Sequence, residues 1–599
     1  LDLIGLPDFS SGAMENWGLV TFREQVLYVD PKHSGIETKQ FVAMVIAHEL
    51  SHQWFGNLVT MRWWDDLWLN ESFANLMEYR AVDELFPKWR IWEEFVYREV
   101  GGALARDALP TVQSVRTEVR HPDELSSLFD PSIVYAKGGS LLNMVRYLIG
   151  EDSFKKGLKT YFTQHQYFNT EAADLWRHLG KAAGVDIESM MKNWLQKPGF
   201  PVIETDYTPD SKTLKLSQRR LAVGKSTDNS TVWTVPLAAS LKLDKPLLNK
   251  KSEQFKLEPS GKYPLLLNHN GQSYFAARYL NKDHFESLIA AVKQNTLTPI
   301  DRLLLIQSYL LLERAGEVPT LDNVKLLRAY KAEREEAVWS ILSGIIGNLR
   351  TLIGKDKELE TKLNNFLIPI VSPLIKQVGW DAKKSDTSQT LKLRALALSL
   401  GAVCQIPEVI KEGLKRFESF EKPADLPADI RGVVYVIAVR FGQKSDFDKL
   451  VNLYKRLTNA EDKEDIAAEL TATREEARIK QLLSMIATAD VRLQDAPTWF
   501  AWLIRNKYGN ELAWRWMIDN WNWVEEKYGE DKSFDYFPRY AASAFSYPEQ
   551  LKSYRKFFGN KAELALQRPI KLGIEEVEGR VAWRAKNETA VKDWLSQLR

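Results

Sequence analysis

The run Thr38–Phe55, TKQFVAMVIAHELSHQWF, sets the architecture of the first third of the chain. Apolar residues recur at helical spacing, Thr38 stands where an N-cap belongs, and Gly56 follows where a C-terminal glycine belongs. One helix is expected. It carries His48-Glu49-Leu50-Ser51-His52, an H-E-x-x-H pattern. Residues four apart share a helix face, about 6 Å apart along the axis. Two imidazoles at that spacing can bind one Zn²⁺ ion, and Glu49 beside them can take a proton from activated water. The competing reading is a surface helix with two stray histidines. It fits poorly with the apolar flanks Val45, Ile46, Ala47, Trp54 and Phe55. Two buried imidazoles and a buried carboxylate without a cation would be costly.

A catalytic zinc uses three protein ligands and one open position. A metzincin would need glycine at 55 and histidine at 58, where this chain has Phe55 and Leu58, so that class is excluded. The following helix, expected from about Asn70 to Leu85, offers Glu71 in its first turn. An antiparallel second helix would bring that turn near His48 and His52, so Glu71 is assigned as the third ligand. A first-turn glutamate favoured by the helix dipole is the alternative. Asp65 and Asp66 are read as loop or cap residues. Upstream lies Gly12-Ala13-Met14-Glu15-Asn16. Its small residues would let a peptide backbone approach as an added strand, and Glu15 could pair with a free α-ammonium. Read alone, the stretch is equally compatible with a plain turn.

Taken together, G-A-M-E-N, H-E-L-S-H and W-L-N-E-S resemble the M1 family of zinc aminopeptidases, of the aminopeptidase N or puromycin-sensitive type. The spacings agree: Glu15 lies 33 residues before His48 (48 − 15), and Glu71 lies 19 after His52 (71 − 52). The resemblance implies a thermolysin-like (gluzincin) catalytic domain with one zinc ion on His48, His52 and Glu71, and Glu49 as general base. It implies that Gly12, Ala13, Met14, Glu15 and Asn16 bind substrate, Glu15 holding the amine. Tyr135, by itself a helix-face aromatic, opens Tyr135-Ala136-Lys137-Gly138, which is similar to the family's Y-E-K-G motif. The resemblance makes Tyr135 the stabiliser of the tetrahedral oxyanion; Ala136 replaces the motif's glutamate. The implied substrates are peptides with a free N-terminus. Family members carry a β domain before G-A-M-E-N, so an N-terminally truncated chain of reduced activity is expected.

Beyond the motifs, the texture changes twice. Helices are expected at Trp89–Arg106, Ser132–Ile149, Ser153–Gln164, Thr170–Ala183 and Ile187–Gln196, and a strand or hairpin at Gly18–Tyr28. Lys197-Pro198-Gly199-Phe200-Pro201 is a break. Period-two alternation follows to about Leu280, as in Thr213–Ser217 and Thr231–Val235, with a turn at Asp228-Asn229-Ser230, and reads as a small β-sandwich. From Asn281 the chain reads as an irregular helical solenoid. The expected fold class is thus α+β multidomain: a zinc peptidase domain over 1–197, a β-sandwich over 198–280 and a HEAT- or armadillo-like helical domain over 281–599. The tryptophans at 499, 502, 514, 516, 521 and 523 are read as helix packing rather than a ligand surface.

Over 599 residues, 45% hydrophobic and 27% charged composition suits a folded protein with a large core. Lys+Arg 81 against Asp+Glu 79 leaves +2, so no general pull on nucleic acid exists. No apolar run reaches the length of a membrane span. Cys404 is the one cysteine, which excludes an intrachain disulfide and suits a cytoplasmic enzyme; a monomer is expected. Two rivals are a bifunctional epoxide hydrolase like leukotriene A4 hydrolase, and an inactive scaffold. The 319 residues after Leu280 (599 − 280) favour the aminopeptidase N type over the first.

Overall fold

The structure is a computed structural model that describes residues 1–209, 211–224, 230–258, 263–561 and 563–598. The turn expected at Asp228-Asn229 lies outside the described residues. Packing divides the chain into two compact units. One comprises Leu1–Ile46, Leu349–Arg584 and Glu588–Arg599; the other comprises Ala47–Asn348 and Ala585–Asn587.

In the first unit, β3 (Leu19–Arg23) lies between β1 (Asp2–Leu6), which runs parallel to it, and β2 (Ala13–Met14), which runs antiparallel. The expected strand is shorter than the apolar run, because Glu24–Val26 turns into a 3-10 helix. Val20 and Phe22 alternate inward and, with Val26, pack against Val45 and Ile46 of the helix α1 (Ile36–Ser51), whose residues from Ala47 onward belong to the second unit. That helix starts two residues before Thr38. Its cap is tertiary: Asp429 Oδ1 accepts from Ile36 N at 2.7 Å. The Thr38 hydroxyl instead donates to Glu461 Oε1 at 2.9 Å. The rest of this unit is helical among its described residues. Trp499, Trp514 and Trp521 are buried in its core, with Trp502, Trp516 and Trp523 packed against it, so the packing reading of these rings holds.

In the second unit, α2 spans Trp68–Leu85. The helix expected over Trp89–Arg106 is broken into a 3-10 turn (Pro87–Trp89), a short helix (Ile91–Glu94), a π-helical turn (Phe95–Val100) and a final helix (Gly101–Asp107). Arg90, at φ 51°, makes the first break. The segment expected over Ser132–Ile149 likewise opens as a π-helical turn, Pro131–Lys137, before α3 (Gly138–Ile149). Ile187–Gln196 forms as expected. Past the Pro-Gly break, β4 (Pro201–Asp206), β5 (Thr213–Arg220), β6 (Ser252–Lys256) and β7 (Ala276–Tyr279) form one sheet in the order β6-β5-β4-β7. Only the β4–β7 pairing is parallel. Leu214 and Leu216 of β5 point inward, which is what its alternation predicts. Val235–Pro236 pairs with Leu247–Leu248 in a separate ribbon. Helices and sheets in these proportions make an α+β multidomain chain. Among the described residues no single helix is long and apolar enough to cross a membrane.

Candidate metal centre

His48 and His52 lie at the end of α1 and in the turn after it, and Glu71 lies in the first turn of α2. The structure brings the three together. The two Nε2 atoms are 3.1 Å apart, and Glu71 Oε2 is 3.4 Å from His48 Nε2 and 3.3 Å from His52 Nε2. The other ring nitrogens are tied off. His52 Nδ1 lies 2.9 Å from the Phe55 carbonyl oxygen, which only accepts, so Nδ1 carries that ring's proton. His48 Nδ1 lies 2.8 Å from Glu78 Oε2. In the neutral rings both Nε2 lone pairs and a carboxylate oxygen then converge on one point. Three acceptors at this separation repel unless a cation lies among them. The edge of a tetrahedron with bonds of about 2.05 Å is about 3.3 Å, so the donor set fits zinc.

Without a cation among them, the charges of this cluster act strongly on one another. His52, Glu71 and Glu78 are buried. Burial alone would lower the His48 pKa, but Glu78 and Glu71 outweigh it and hold the imidazole well above its ordinary value. Burial would raise Glu71, yet His52 and His48 hold it well below the usual carboxylate range. Behind Glu78 the polar chain continues. Asn75 Nδ2 donates to Glu78 Oε1 at 3.1 Å and, at 3.4 Å, to Glu99 Oε2, and the Tyr79 hydroxyl donates to Glu99 Oε1 at 3.1 Å. Burial, then the charge of Glu78, pushes Glu99 up to about 7. Sequence reasoning missed Glu78, although it falls two helical turns after Glu71 (78 − 71 = 7) and so on the same face.

Glu49 is buried, with a carboxylate oxygen within 4.8 Å of a His52 ring nitrogen. The Tyr135 ring stacks along His48, centroids 6.0 Å apart at 18°. Its π-helical turn is pressed onto α2: Ser72 Oγ donates to the Val134 carbonyl at 2.5 Å. Glycine is required at the next turn, because a Cβ on Gly138 would come within 1.9 Å of Ser72 Oγ, and one on Gly139 within 2.8 Å of Asn75 Oδ1. Asp130 caps the turn by accepting from Ser132 N at 3.0 Å. Of the apolar flanks, Phe55 is buried and stacks on Phe73 at 4.2 Å, whereas Trp54 is 53% exposed. Asp65 and Asp66 serve the fold: Asp65 accepts from Val119 N at 2.9 Å, and Asp66 from Trp68 Nε1 at 3.0 Å.

The Gly12–Asn16 stretch is an edge strand with its flanks, not a plain turn. Ala13 pairs with Phe22 and Met14 with Thr21. Met14 and Asn16 are exposed, and Asn16 Nδ2 donates to Thr21 Oγ1 at 3.2 Å. Arg23, unnoticed in the sequence, holds the approach to this strand by donating to the Phe9, Ser10 and Ser11 carbonyls at 2.7–2.8 Å. A Cβ on Gly12 would meet nothing within 4 Å, so internal packing does not demand the glycine.

Comparison with known proteins bears on this arrangement. Residues 1–194 match the peptidase family M1 domain, and residues 264–579 match the ERAP1-like C-terminal domain. Aminopeptidase N of Lactobacillus helveticus is 37% identical over 99% of this chain and 71% of its own length. Aminopeptidase N of Lactococcus lactis subsp. lactis (strain IL1403) is 37% identical over 97% of this chain and 69% of its own. Aminopeptidase M1 of Arabidopsis thaliana is 31% identical over 100% of this chain and 70% of its own. Matches that run from the N-terminal motifs to the last helices, at this identity, mean that the chain belongs to peptidase family M1 and is a peptidase hydrolase.

Proposed function

We propose that the chain is a zinc-dependent aminopeptidase that hydrolyses the first peptide bond of peptides with a free N-terminus. The observation that carries this reading is the convergence of His48 Nε2, His52 Nε2 and Glu71 Oε2 within 3.1–3.4 Å, with both Nδ1 atoms already engaged. These three residues would hold one Zn²⁺, which when bound polarises a carbonyl and acidifies water. Glu49 accepts the proton of the attacking water and delivers it to the leaving amine. The Tyr135 phenol donates a hydrogen bond to the carbonyl oxygen as it gains negative charge. Glu78 and the Phe55 carbonyl hold the two imidazoles in the tautomer that frees Nε2. Glu15 pairs with the substrate ammonium, an assignment that rests on its sequence motif. Open space at Gly12 and the edge position of Ala13-Met14-Glu15-Asn16 suit a peptide that adds as a further strand.

The relatives matched over the whole chain carry aminopeptidase names, and nothing in the geometry favours epoxide hydrolysis. The intact set of ligands and base speaks against an inactive scaffold. The test is elemental analysis of the purified chain, followed by turnover of a panel of aminoacyl chromogenic substrates with and without a chelator. One zinc per chain and chelator-sensitive release from free-amine substrates are expected. Release from N-acetylated substrates at the same rate, or turnover indifferent to metal removal, overturns the proposal.

A further inference from the structure

The helical part of the first unit encloses a cavity of about 910 Å³, far from any catalytic motif in sequence. Its size is that of a small-molecule site. Its walls are strongly basic although the whole chain carries only +2. Four cations crowd one side: Arg350, Arg440, Arg474 and Lys507. Two carboxylates relieve them: Glu360 and, beside Arg440, Glu469. Glu360 Oε1 lies 3.6 Å from Arg350 Nη1 and 3.2 Å from Arg474 Nη2. Among the described residues their hydrogen bonds go to carbonyls: Arg440 donates from Nε to Ala472 O at 3.3 Å, and Lys507 donates to the Gly354 carbonyl at 2.7 Å. Glu511 and Glu549 also line the cavity but pair with none of the four among the described residues.

This side of the cavity is therefore short of negative charge. Burial, then the neighbouring Arg474, lowers the Arg440 pKa; burial lowers that of Lys507, where Arg474, Arg350 and Arg440 work against the relief from Glu360. Arg350 Nε is buried with no hydrogen-bond partner among the described residues. Half-buried like charges, with a donor left over, are costly unless an anion completes them. Guanidinium groups match the flat oxygen pairs of carboxylates and phosphates. Trp502 and Trp514, packed in and against the core, also border the cavity. We infer that this cavity is a binding site for a small molecule bearing a multivalent oxyanion, phosphate or polycarboxylate, held by Arg350, Arg440, Arg474 and Lys507.

Calorimetric titration of the 599-residue chain at low ionic strength tests this, with inorganic phosphate in one arm and tricarballylate in the other. Saturable binding of at least one probe is expected. Phosphate alone identifies a phosphoester ligand, tricarballylate alone a polycarboxylate, and both the shared oxyanion chemistry. Arg440→Gln and Lys507→Gln should each weaken binding by about tenfold or more. Lys444→Gln, on a side chain 81% exposed, should not change it. Lys507 sits between two helices rather than inside one, so its variant reports even if Arg440→Gln fails to fold. No saturable binding of either probe overturns the inference, as does binding that Lys507→Gln leaves unchanged.

Discussion

Lys137 and Asp107 form an ion pair in which neither side chain has any solvent exposure, with Nζ 2.8 Å from Oδ2. Lys137 also donates to the Gly199 carbonyl at 3.0 Å, while Asp107 Oδ1 accepts from Gly199 N at 2.8 Å. The pair thus joins the turn that carries Tyr135 to the Pro-Gly break before the sheet. Removing one partner strands a buried charge. Lys137→Met is expected to cost about 3–5 kcal/mol, and Lys137→Met with Asp107→Leu clearly less. Chemical denaturation of the single and double variants checks this; equal losses would contradict it.

Gly138 leaves room for Ser72 of α2 beside the Tyr135 segment. Gly138→Ala would drive a methyl into Ser72, the neighbour of Glu71. Overpacking of this kind costs about 1–3 kcal/mol. Weaker zinc binding should accompany the loss, because Glu71 moves with Ser72. Adding Ser72→Gly should recover most of both, as read by denaturation and metal competition.

Glu78→Gln keeps an acceptor for His48 Nδ1 but removes the charge. Loss of such a supporting group lowers metal affinity by about 10–100-fold. Competition against a chelator of known affinity measures it. Affinity equal to the parent would show that Glu78 does not orient the ligand.

Glu49→Gln should retain zinc and lose about 10²–10⁴ in rate. Tyr135→Phe should lower kcat far more than it raises KM, since its bond to the developing charge is made in the transition state. An unchanged kcat in either variant refutes the assigned role.

Glu99 makes stability depend on pH. Its folded pKa of about 7 lies above the ordinary 4.5, so the folded chain binds more protons than the unfolded one between those values. Stability from this group therefore falls as pH rises through that window. Glu99→Gln should be more stable than the parent at pH about 8, by at most about 3 kcal/mol, and equal to it below pH about 4.5. Denaturation at the two pH values decides; a constant difference would exclude the linkage.

Much of the centre was legible as spacing. His48, Glu49 and His52 needed only one helical turn, and Glu71 only the assumption of an antiparallel second helix. Such local periodicities are written in neighbouring residues, because a helix puts i and i+4 side by side whatever surrounds it. The lengths of the Ile187–Gln196 helix and of α2 were readable for the same reason.

What could not be read depends on groups remote in the chain. Thr38 looked like a cap until Asp429 supplied one from 393 residues away. Lys137 looked like a motif letter until Asp107 and Gly199 buried it. The π-helical turns at Phe95–Val100 and Pro131–Lys137 have no periodic signature of their own; α2 bonds to both, from Asn75 and Tyr79 to Glu99 and from Ser72 to the Val134 carbonyl. Side-chain types and their intervals thus name the chemistry, since coordination needs only the right atoms one turn apart. Tautomer, proton affinity and the approach of one helix to the next follow from burial and from partners hundreds of residues distant, and these exist only once the chain has folded.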